Sequence, residues 1–201
     1  MEALTILILE DEPIIAMDLK EYCIELGHQV VSVSYSYEQA LIELETKHPN
    51  FALVDIRIGH QDSGIEFGKK LSEDYGVPFV FITSFFDEKT LDQAKETFPT
   101  GYLVKPISQG GLSAAIQVGV ANFLKWRPNG EKQIDKLKKS SIAELTSREL
   151  EVIQHLMNGK TNYEISQAQY VSVNTIKTHL KNIYIKLNVK SRGQLIALLN
   201  N

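Results

Sequence analysis

Short apolar runs alternate five times with helical patterns over residues 1–123, and this alternation constrains the fold more than any other feature of the sequence. The five predicted strands begin at Leu4, Gln29, Phe51, Pro78 and Gly101. Each strand is followed by a helical pattern, and the helix after the second strand opens with the capping pair Ser36 and Gln39. The patterns after the third and fourth strands predict helices at Ile65–Tyr75 and near Glu88–Phe98. Strands joined in this way pair in parallel, so the pattern predicts an α/β domain whose sheet is covered by helices on both faces.

Polar residues stand at the carboxyl ends of the predicted strands. They are Glu10, Asp11, Asp55, Thr83 and Lys105. In an open parallel sheet these ends share one edge, and ligands bind where the strand order reverses. We assume the order 2-1-3-4-5, which places Asp11 and Asp55 on either side of that point. Alone, Asp55 would more often be an ordinary strand-end acid, but its partners on the same edge favour a reactive group.

The chemistry of these side chains indicates phosphoryl transfer. Three converging carboxylates repel one another and need either raised pKa values or a cation. Oxygen ligands suit a hard divalent ion, and Mg²⁺ is the expected one. Together with the ammonium group of Lys105 and the hydroxyl group of Thr83, such a site forms a clamp for a phosphoryl group. Asp55 is the residue placed to accept it, as an aspartyl phosphate.

Residues 4–123 resemble the receiver domain of bacterial two-component response regulators. The matching elements are Glu10-Asp11, the VDIR sequence at the end of the third strand, Gly64, residues 82–84 (ITS) and residues 101–106 (GYLVKP). The resemblance implies a flavodoxin-like (βα)5 fold, a partner histidine kinase and Asp55 as the phosphoacceptor. One departure from the family pattern is Glu10, which stands where Asp is commoner.

The resemblance also implies roles for the residues around Asp55. The implied Mg²⁺ ligands are Glu10, Asp11, Asp55 and the backbone carbonyl of Arg57. Lys105 would pair with the acids and then with the phosphoryl group, to which Thr83 would donate. Tyr102 would be the switch aromatic that turns inward as Thr83 moves, and the Lys105–Pro106 bond would be cis.

The second part of the chain has a different character. Residues 1–123 carry 8 Lys or Arg and 19 Asp or Glu, whereas residues 124–201 carry 13 and 6. A basic part beside an acidic part suggests two domains, the second with a polyanionic partner. Residues 125–143 contain Pro128-Asn129-Gly130 and many lysines, and we interpret them as a linker with a short helical piece at 131–139. Whether Trp126 packs or lies exposed stays open.

Capping signals beginning at Thr146, Thr161, Ser172 and Ser191 predict four short helices after the linker. In the third, Ile176, Leu180, Ile183 and Leu187 form one apolar stripe. Lysines and hydrogen-bonding residues on its other side would suit the major groove of B-DNA. A lysine-bearing amphipathic helix is, however, also common as a solvated surface helix.

Residues 145–199 resemble the all-α, four-helix LuxR-type helix-turn-helix domain. The matching segments are LTSRELEVI (145–153), GKTNYEI (159–165) and VSVNTIKTHLKNIYIKL (171–187), with Val189 and Ser191-Arg192. The resemblance implies a scaffold helix at 161–169 and a recognition helix at 173–187. Lys177, Thr178 and Lys181 would reach bases, and the residues that would mostly contact the DNA backbone are Thr175, His179, Asn182 and Lys186. Gln169 stands where the family usually has an inward Leu, and Asn188 replaces the usual Gly after the recognition helix.

Together these features predict a response regulator transcription factor of the NarL/FixJ type, with a receiver at 1–124, a linker at 125–143 and a DNA-binding domain at 144–201. Phosphorylation of Asp55 would control homodimerisation and binding to double-stranded DNA. The alternative is a phosphorylation-independent receiver that acts as a protein-interaction module. A phosphatase with an aspartate nucleophile is disfavoured, because Arg57 stands where such enzymes usually carry a second acid, and we expect no enzyme. No membrane-length apolar run and a single cysteine, Cys23, favour the cytoplasm.

Overall fold

The structure is a computed structural model that describes residues 2–59, 63–84, 88–125 and 144–200. Its contacts divide the chain into two compact units: Met1–Ser72 with Val77–Ala121, and Glu73–Gly76 with Asn122–Asn201. Trp126 and the helical piece predicted at 131–139 lie outside the described residues. No described helix is long and apolar enough to cross a membrane.

The first unit alternates strands and helices. Its strands are β1 (Thr5–Leu9), β2 (Gln29–Ser34), β3 (Phe51–Asp55), β4 (Phe79–Thr83) and β5 (Gly101–Val104). The helices that follow them are α1 (Pro13–Glu25), α2 (Tyr37–Lys47), α3 (Ser63–Lys70), α4 (Glu88–Lys95) and α5 (Gln109–Lys125), and a π-helical turn, Leu71–Tyr75, follows α3. The last residues of that turn and of α5 are grouped with the second unit. All strand pairs are parallel and the order is β2-β1-β3-β4-β5. The predicted fold and strand order are therefore confirmed.

The central strands lie between two layers of helices. Every residue of β3 and β4 is buried, which explains why their sequences are continuous apolar runs rather than alternating ones. One face of the sheet forms a core with residues of α1 and α5, including Leu19, Cys23, Leu112 and Ile116. Asp55 and Thr83 are the last residues of β3 and β4, so the buried sheet holds both at its carboxyl edge.

Two helix limits differ from the sequence prediction. The helix expected at Ile65–Tyr75 begins earlier, at Ser63. The helix expected to reach Phe98 ends at Lys95. There the Thr97 hydroxyl donates to the carbonyl of Ala94 at 2.7 Å, and Phe98, which precedes a proline, has a φ of 57°. A proline disfavours helical geometry in the residue before it, which accounts for the earlier end.

The described part of the second unit contains the four predicted helices: α6 (Ser147–Met157), α7 (Asn162–Gln169), α8 (Val173–Lys186) and α9 (Arg192–Asn200). Thr146 and Thr161 each form a complete capping box, with Glu149 and Glu164 as their respective partners. The Ser172 hydroxyl accepts from the backbone N–H of Thr175 and caps α8. These caps satisfy backbone donors that a helix start leaves without intrahelical partners, so local sequence sets where the helices begin.

The core of the helical unit contains the predicted apolar stripe of α8: Ile176, Leu180, Ile183 and Leu187. Leu195 and Leu199 of α9 belong to the same core. After α8, Asn188 adopts a left-handed φ of 52°, as expected for an Asn in place of the usual Gly. The buried stripe fixes which side of α8 faces outward.

Candidate functional site

An acidic cluster lies at the carboxyl edge of the sheet. Glu10 and Asp11 follow β1, and Asp55 ends β3, two strands that are hydrogen-bonded neighbours. Each residue offers one carboxylate oxygen, and these oxygens lie within 4.8 Å of one another. The structure therefore brings together the three acids that the sequence placed on one edge.

Lys105, just after β5, inserts its ammonium group among these acids. Its Nζ lies 2.7 Å from Asp55 Oδ2 and 3.0 Å from Glu10 Oε2. It also lies 3.2 Å from Glu12 Oε1, a contact that the sequence analysis missed. The only sequence signal was the third acid in the run Glu10–Glu12. The bond from Lys105 to Pro106 is cis, as expected.

The carboxylates of the cluster repel one another. Burial, followed by the charge of Asp55, raises the pKa of Glu10 to about 7, although bonds from Lys105 oppose this rise. Burial alone would lower the pKa of Lys105, but its hydrogen bonds to Asp55 and Glu10 raise it above its ordinary value. Lys105 thus stays charged, yet one ammonium group does not balance the carboxylates around it. The remaining repulsion would be relieved by a further positive charge.

Backbone N–H groups of the loop after β3 hold the acids in place. The N–H of Arg57 donates to Asp55 Oδ1 at 3.0 Å, and the N–H of Gly59 donates to Asp11 Oδ2 at 2.7 Å. Gly59 has a φ of 66°, a conformation that glycine adopts readily. With Lys105 on its other oxygen, the Asp55 carboxylate is fixed from both sides, so its orientation is set before any ligand arrives.

The acids open into a cleft of about 290 Å³. Its lining residues are Asp11, Glu12, Asp55, Arg57, Gly59, Thr83, Ser84 and Lys105. Thr83, at the end of β4, is 3% exposed, so its hydroxyl group belongs to the cleft wall rather than to the outer surface. Carboxylate and backbone carbonyl oxygens are the donors that Mg²⁺ prefers, and this donor set fits that ion.

Tyr102 lies on β5 directly beside Phe81 of β4, its partner in the ladder. The two ring centroids are 5.9 Å apart, and the Tyr102 hydroxyl oxygen is buried. Burial raises the pKa of this phenol. The predicted switch residue thus sits on the strand next to the one that ends in Thr83.

The predicted DNA-contacting residues lie on α8, but they are not equally available. Thr178, Lys181 and Asn182 are exposed, whereas Thr175 and His179 are partly buried. The Thr178 hydroxyl donates to a backbone carbonyl of the preceding turn, and the Thr175 hydroxyl lies 2.9 Å from that of Ser172. These two hydroxyl groups therefore already have partners within the helix.

Lys186 has an internal role in this structure. Its Nζ lies 2.8 Å from Glu149 Oε2 and donates to the carbonyl of Glu144 at 2.9 Å. Glu149 is 3% exposed and belongs to the capping box of α6. The ammonium group thus ties the end of α8 to the start of α6, whereas the resemblance implies a contact with the DNA backbone.

Comparison with known families identifies both parts of the chain. Residues 6–117 match the family model of the response regulator receiver domain, and residues 143–199 match that of bacterial regulatory proteins of the luxR family. The chain belongs to the response regulator family. This response regulator is therefore a two-component transcription regulator with a LuxR-type helix-turn-helix, and its family is not one of enzymes.

Similar proteins include the response regulator protein VraR of Staphylococcus epidermidis. It is 25% identical over 199 residues, covering 96% of this response regulator and 95% of VraR. VraR of Staphylococcus aureus is 24% identical over 196 residues, covering 95% and 93%. A solved signal receiver domain of a modulated diguanylate cyclase from Desulfovibrio desulfuricans is 32% identical, with a TM-score of 0.55, covering 62% of this chain and 99% of that one. The response regulator PhyR from Brucella abortus is 30% identical, with a TM-score of 0.51, covering 60% and 49%.

Proposed function

We propose that a partner histidine kinase phosphorylates this response regulator on Asp55, and that phosphorylation controls homodimerisation and sequence-specific binding to double-stranded DNA. The main support is the contact of 2.7 Å between Lys105 Nζ and Asp55 Oδ2 inside an acidic, open cleft. An ordinary strand-end acid does not need a buried cation, a neighbouring acid anchored by a backbone N–H group, and space for a ligand.

The chemistry assigns one task to each side chain. An oxygen of the Asp55 carboxylate attacks the phosphorus of a phosphohistidine, the P–N bond breaks, and a P–O bond forms. Lys105 then pairs with the phosphoryl oxygens, and Thr83 donates a hydrogen bond to one of them. Because Lys105 already contacts Asp55, little rearrangement is needed to place its charge where the phosphoryl charge arrives.

We assign Mg²⁺ binding to the carboxylates of Glu10, Asp11 and Asp55 and to the backbone carbonyl of Arg57. When bound, the ion supplies positive charge beside the phosphoryl oxygens. Glu10 is fully buried and Asp11 is anchored to the loop after β3, so these acids would hold their positions with or without a phosphoryl group.

Phosphorylation would alter DNA binding by changing the balance between two conformations of the receiver. A phosphoryl group adds about 1.5–2 negative charges and three acceptors at pH 7. As Thr83 turns toward it, Tyr102 on the neighbouring strand moves further inward, which alters the outer surface of the receiver at 1–124. The linker at 125–143 carries this change to the domain at 144–201, and two such domains bind a twofold-related site. Bacterial chromosomal DNA lies in the cytoplasm, where we place the protein.

Within the helical domain, we propose that Lys177, Thr178 and Lys181 contact bases and that Thr175, His179 and Asn182 contact mainly the backbone of the DNA. The exposure of Thr178, Lys181 and Asn182 supports this assignment. For Lys186, the predicted contact with the DNA backbone would require its ammonium group to leave its two partners, Glu149 and the carbonyl of Glu144.

Labelling of the full chain with a small phosphodonor and Mg²⁺ tests the proposal. The wild type should be labelled, and Asp55→Asn should not. Asp92→Asn, which changes an exposed acid of α4, is the matched control and should be labelled like the wild type. An unlabelled wild type would reject the proposal. If DNA affinity is then the same with and without phosphodonor, the receiver acts as a phosphorylation-independent interaction module.

A further inference from the structure

The outward face of α8 has a centre line that can be located from its buried face. The buried residues are Ile176, Leu180, Ile183 and Leu187, spaced by four, three and four. At 3.6 residues per turn, the opposite line runs through Asn174, Thr178, Lys181 and Ile185, with the same spacing. All four of these residues are exposed. Asn174 therefore lies at the middle of the outward face, although the sequence analysis did not select it.

The side-chain amide of Asn174 is not used by the helix itself. The capping position belongs to Ser172, whose hydroxyl accepts from the N–H of Thr175 at 3.1 Å. Only the backbone carbonyl of Asn174 is engaged, by the hydroxyl of Thr178 at 3.0 Å. Among the described residues, none donates to or accepts from its side-chain amide. An adjacent donor and acceptor are thus available on the exposed surface.

The position of Asn174 allows its side-chain amide to reach a base edge. It is the second residue of α8, and residues near the start of a recognition helix are those that reach base edges in the major groove. An Asn carboxamide matches the N6 amino group and N7 of adenine, whereas a lysine pairs with the O6 and N7 acceptors of guanine. The Thr178 hydroxyl already donates a hydrogen bond within the helix. Asn174 is therefore better suited than Thr178 to form two hydrogen bonds with one base.

We propose that Asn174 reads an adenine in each half-site and is a specificity-determining residue of this response regulator. The inference rests on the proposed function, in that α8 must enter the major groove. It adds the identity of one recognised base and the residue that recognises it. Lys177 and Lys181 supply charge on the same face, and Asn174 supplies discrimination at one base pair.

Selection of bound fragments from a random duplex library, with the full-length phosphorylated chain, tests the inference. The wild type should show adenine at one position of each half-site. In Asn174→Ala this preference should fall by about 5- to 150-fold, the discrimination expected of a bidentate contact. In Asn174→Asp, which accepts but does not donate, the preference should move from adenine toward cytosine. Asn182→Ala is the matched control and should weaken binding to all sequences without changing the base preference.

The outcomes separate the inference from the proposed function. A wild-type protein that selects no sequence would reject the proposed DNA recognition itself. A wild type with an adenine preference that Asn174→Ala and Asn174→Asp both retain would overturn only the role of Asn174. Circular dichroism of each variant shows whether it is folded. If Asn174→Ala does not fold, the base preference of Asn174→Asp decides, because an acid in the first turn of a helix favours its formation.

Discussion

Gly64 offers a direct test of how the fold positions Asp55. It is the second residue of α3, and its N–H donates to the carbonyl of Ile56 at 3.1 Å. A Cβ added to Gly64 would lie 2.7 Å from that carbonyl oxygen and closer still to the carbonyl oxygen of Asp55. Both obstacles are backbone atoms, so Gly64→Ala must displace either α3 or the end of β3.

The expected cost follows from this geometry. Overpacking in a core typically costs about 1–3 kcal/mol, and neither carbonyl can rotate away as a side chain would, so we expect about 3 kcal/mol. With an m-value of about 2 kcal/mol/M, the urea midpoint of the receiver should fall by about 1.5 M. A shift of Asp55 by about 1 Å should also slow phosphodonor labelling by about 100-fold.

Gly110→Ala is the matched control, since Gly110 is likewise the second residue of its helix, α5. A Cβ there would meet no atom within 4 Å. This substitution should stabilise the receiver by about 0.5–1 kcal/mol through helix propensity and leave labelling unchanged. The assays are urea denaturation followed by circular dichroism and the initial rate of labelling. A Gly64→Ala variant as stable and as rapidly labelled as Gly110→Ala would refute the close approach.

Three further predictions concern the helical domain. Glu149→Gln should destabilise it by about 2–3 kcal/mol in thermal denaturation, because the largely buried Lys186 loses its counter-charge. The control is Glu151→Gln, which changes an exposed acid and should cost at most about 0.5 kcal/mol. A cost for Glu149→Gln below that limit would contradict the prediction. Burial would raise the pKa of Glu149, but bonds from Lys186 and Thr146 outweigh it and lower the pKa below 4.5. Its contribution is therefore complete above about pH 4.5 and lost on acidification, so the difference between wild type and Glu149→Gln should shrink as the pH falls, and a constant difference would exclude the ion pair. Gln169→Leu should stabilise the domain by about 1–2 kcal/mol, because the buried Gln169 Nε2 has no hydrogen-bond partner among the described residues. Lower thermal stability of this variant would show that the amide does have a hydrogen-bond partner.

Much of the receiver fold was accessible from sequence because its signals are local. Apolar runs, helix periodicity and capping residues such as Ser36 each act within a few residues, and the structure confirms the elements they predicted. The errors at element ends are also local in origin. At Thr97 and Phe98, a side-chain hydrogen bond and the following proline end a helix that periodicity alone would have extended.

On helix α8 the local signals were incomplete. Its apolar stripe and its cap were evident, but charge alone could not distinguish Lys181, which is exposed, from Lys186, which pairs with Glu149. The two lysines also differ in helical position, since Lys181 lies opposite the buried stripe and Lys186 lies to one side of it, next to Glu149. Asn174 is not found by a search for charge, although its place opposite the predicted stripe follows from helical periodicity.

The two domain types, and the acids, lysine and threonine at the edge of the sheet, could be predicted without coordinates, because they follow from periodicity and from the residues at strand ends. Which atoms meet at that edge depends on the folded chain. It brought Glu12 to Lys105, fixed Asp55 between Lys105 and a backbone N–H, and left no room for a side chain at Gly64. Contacts of this kind join residues up to 95 positions apart, and a separation of that size leaves no periodic trace in the sequence.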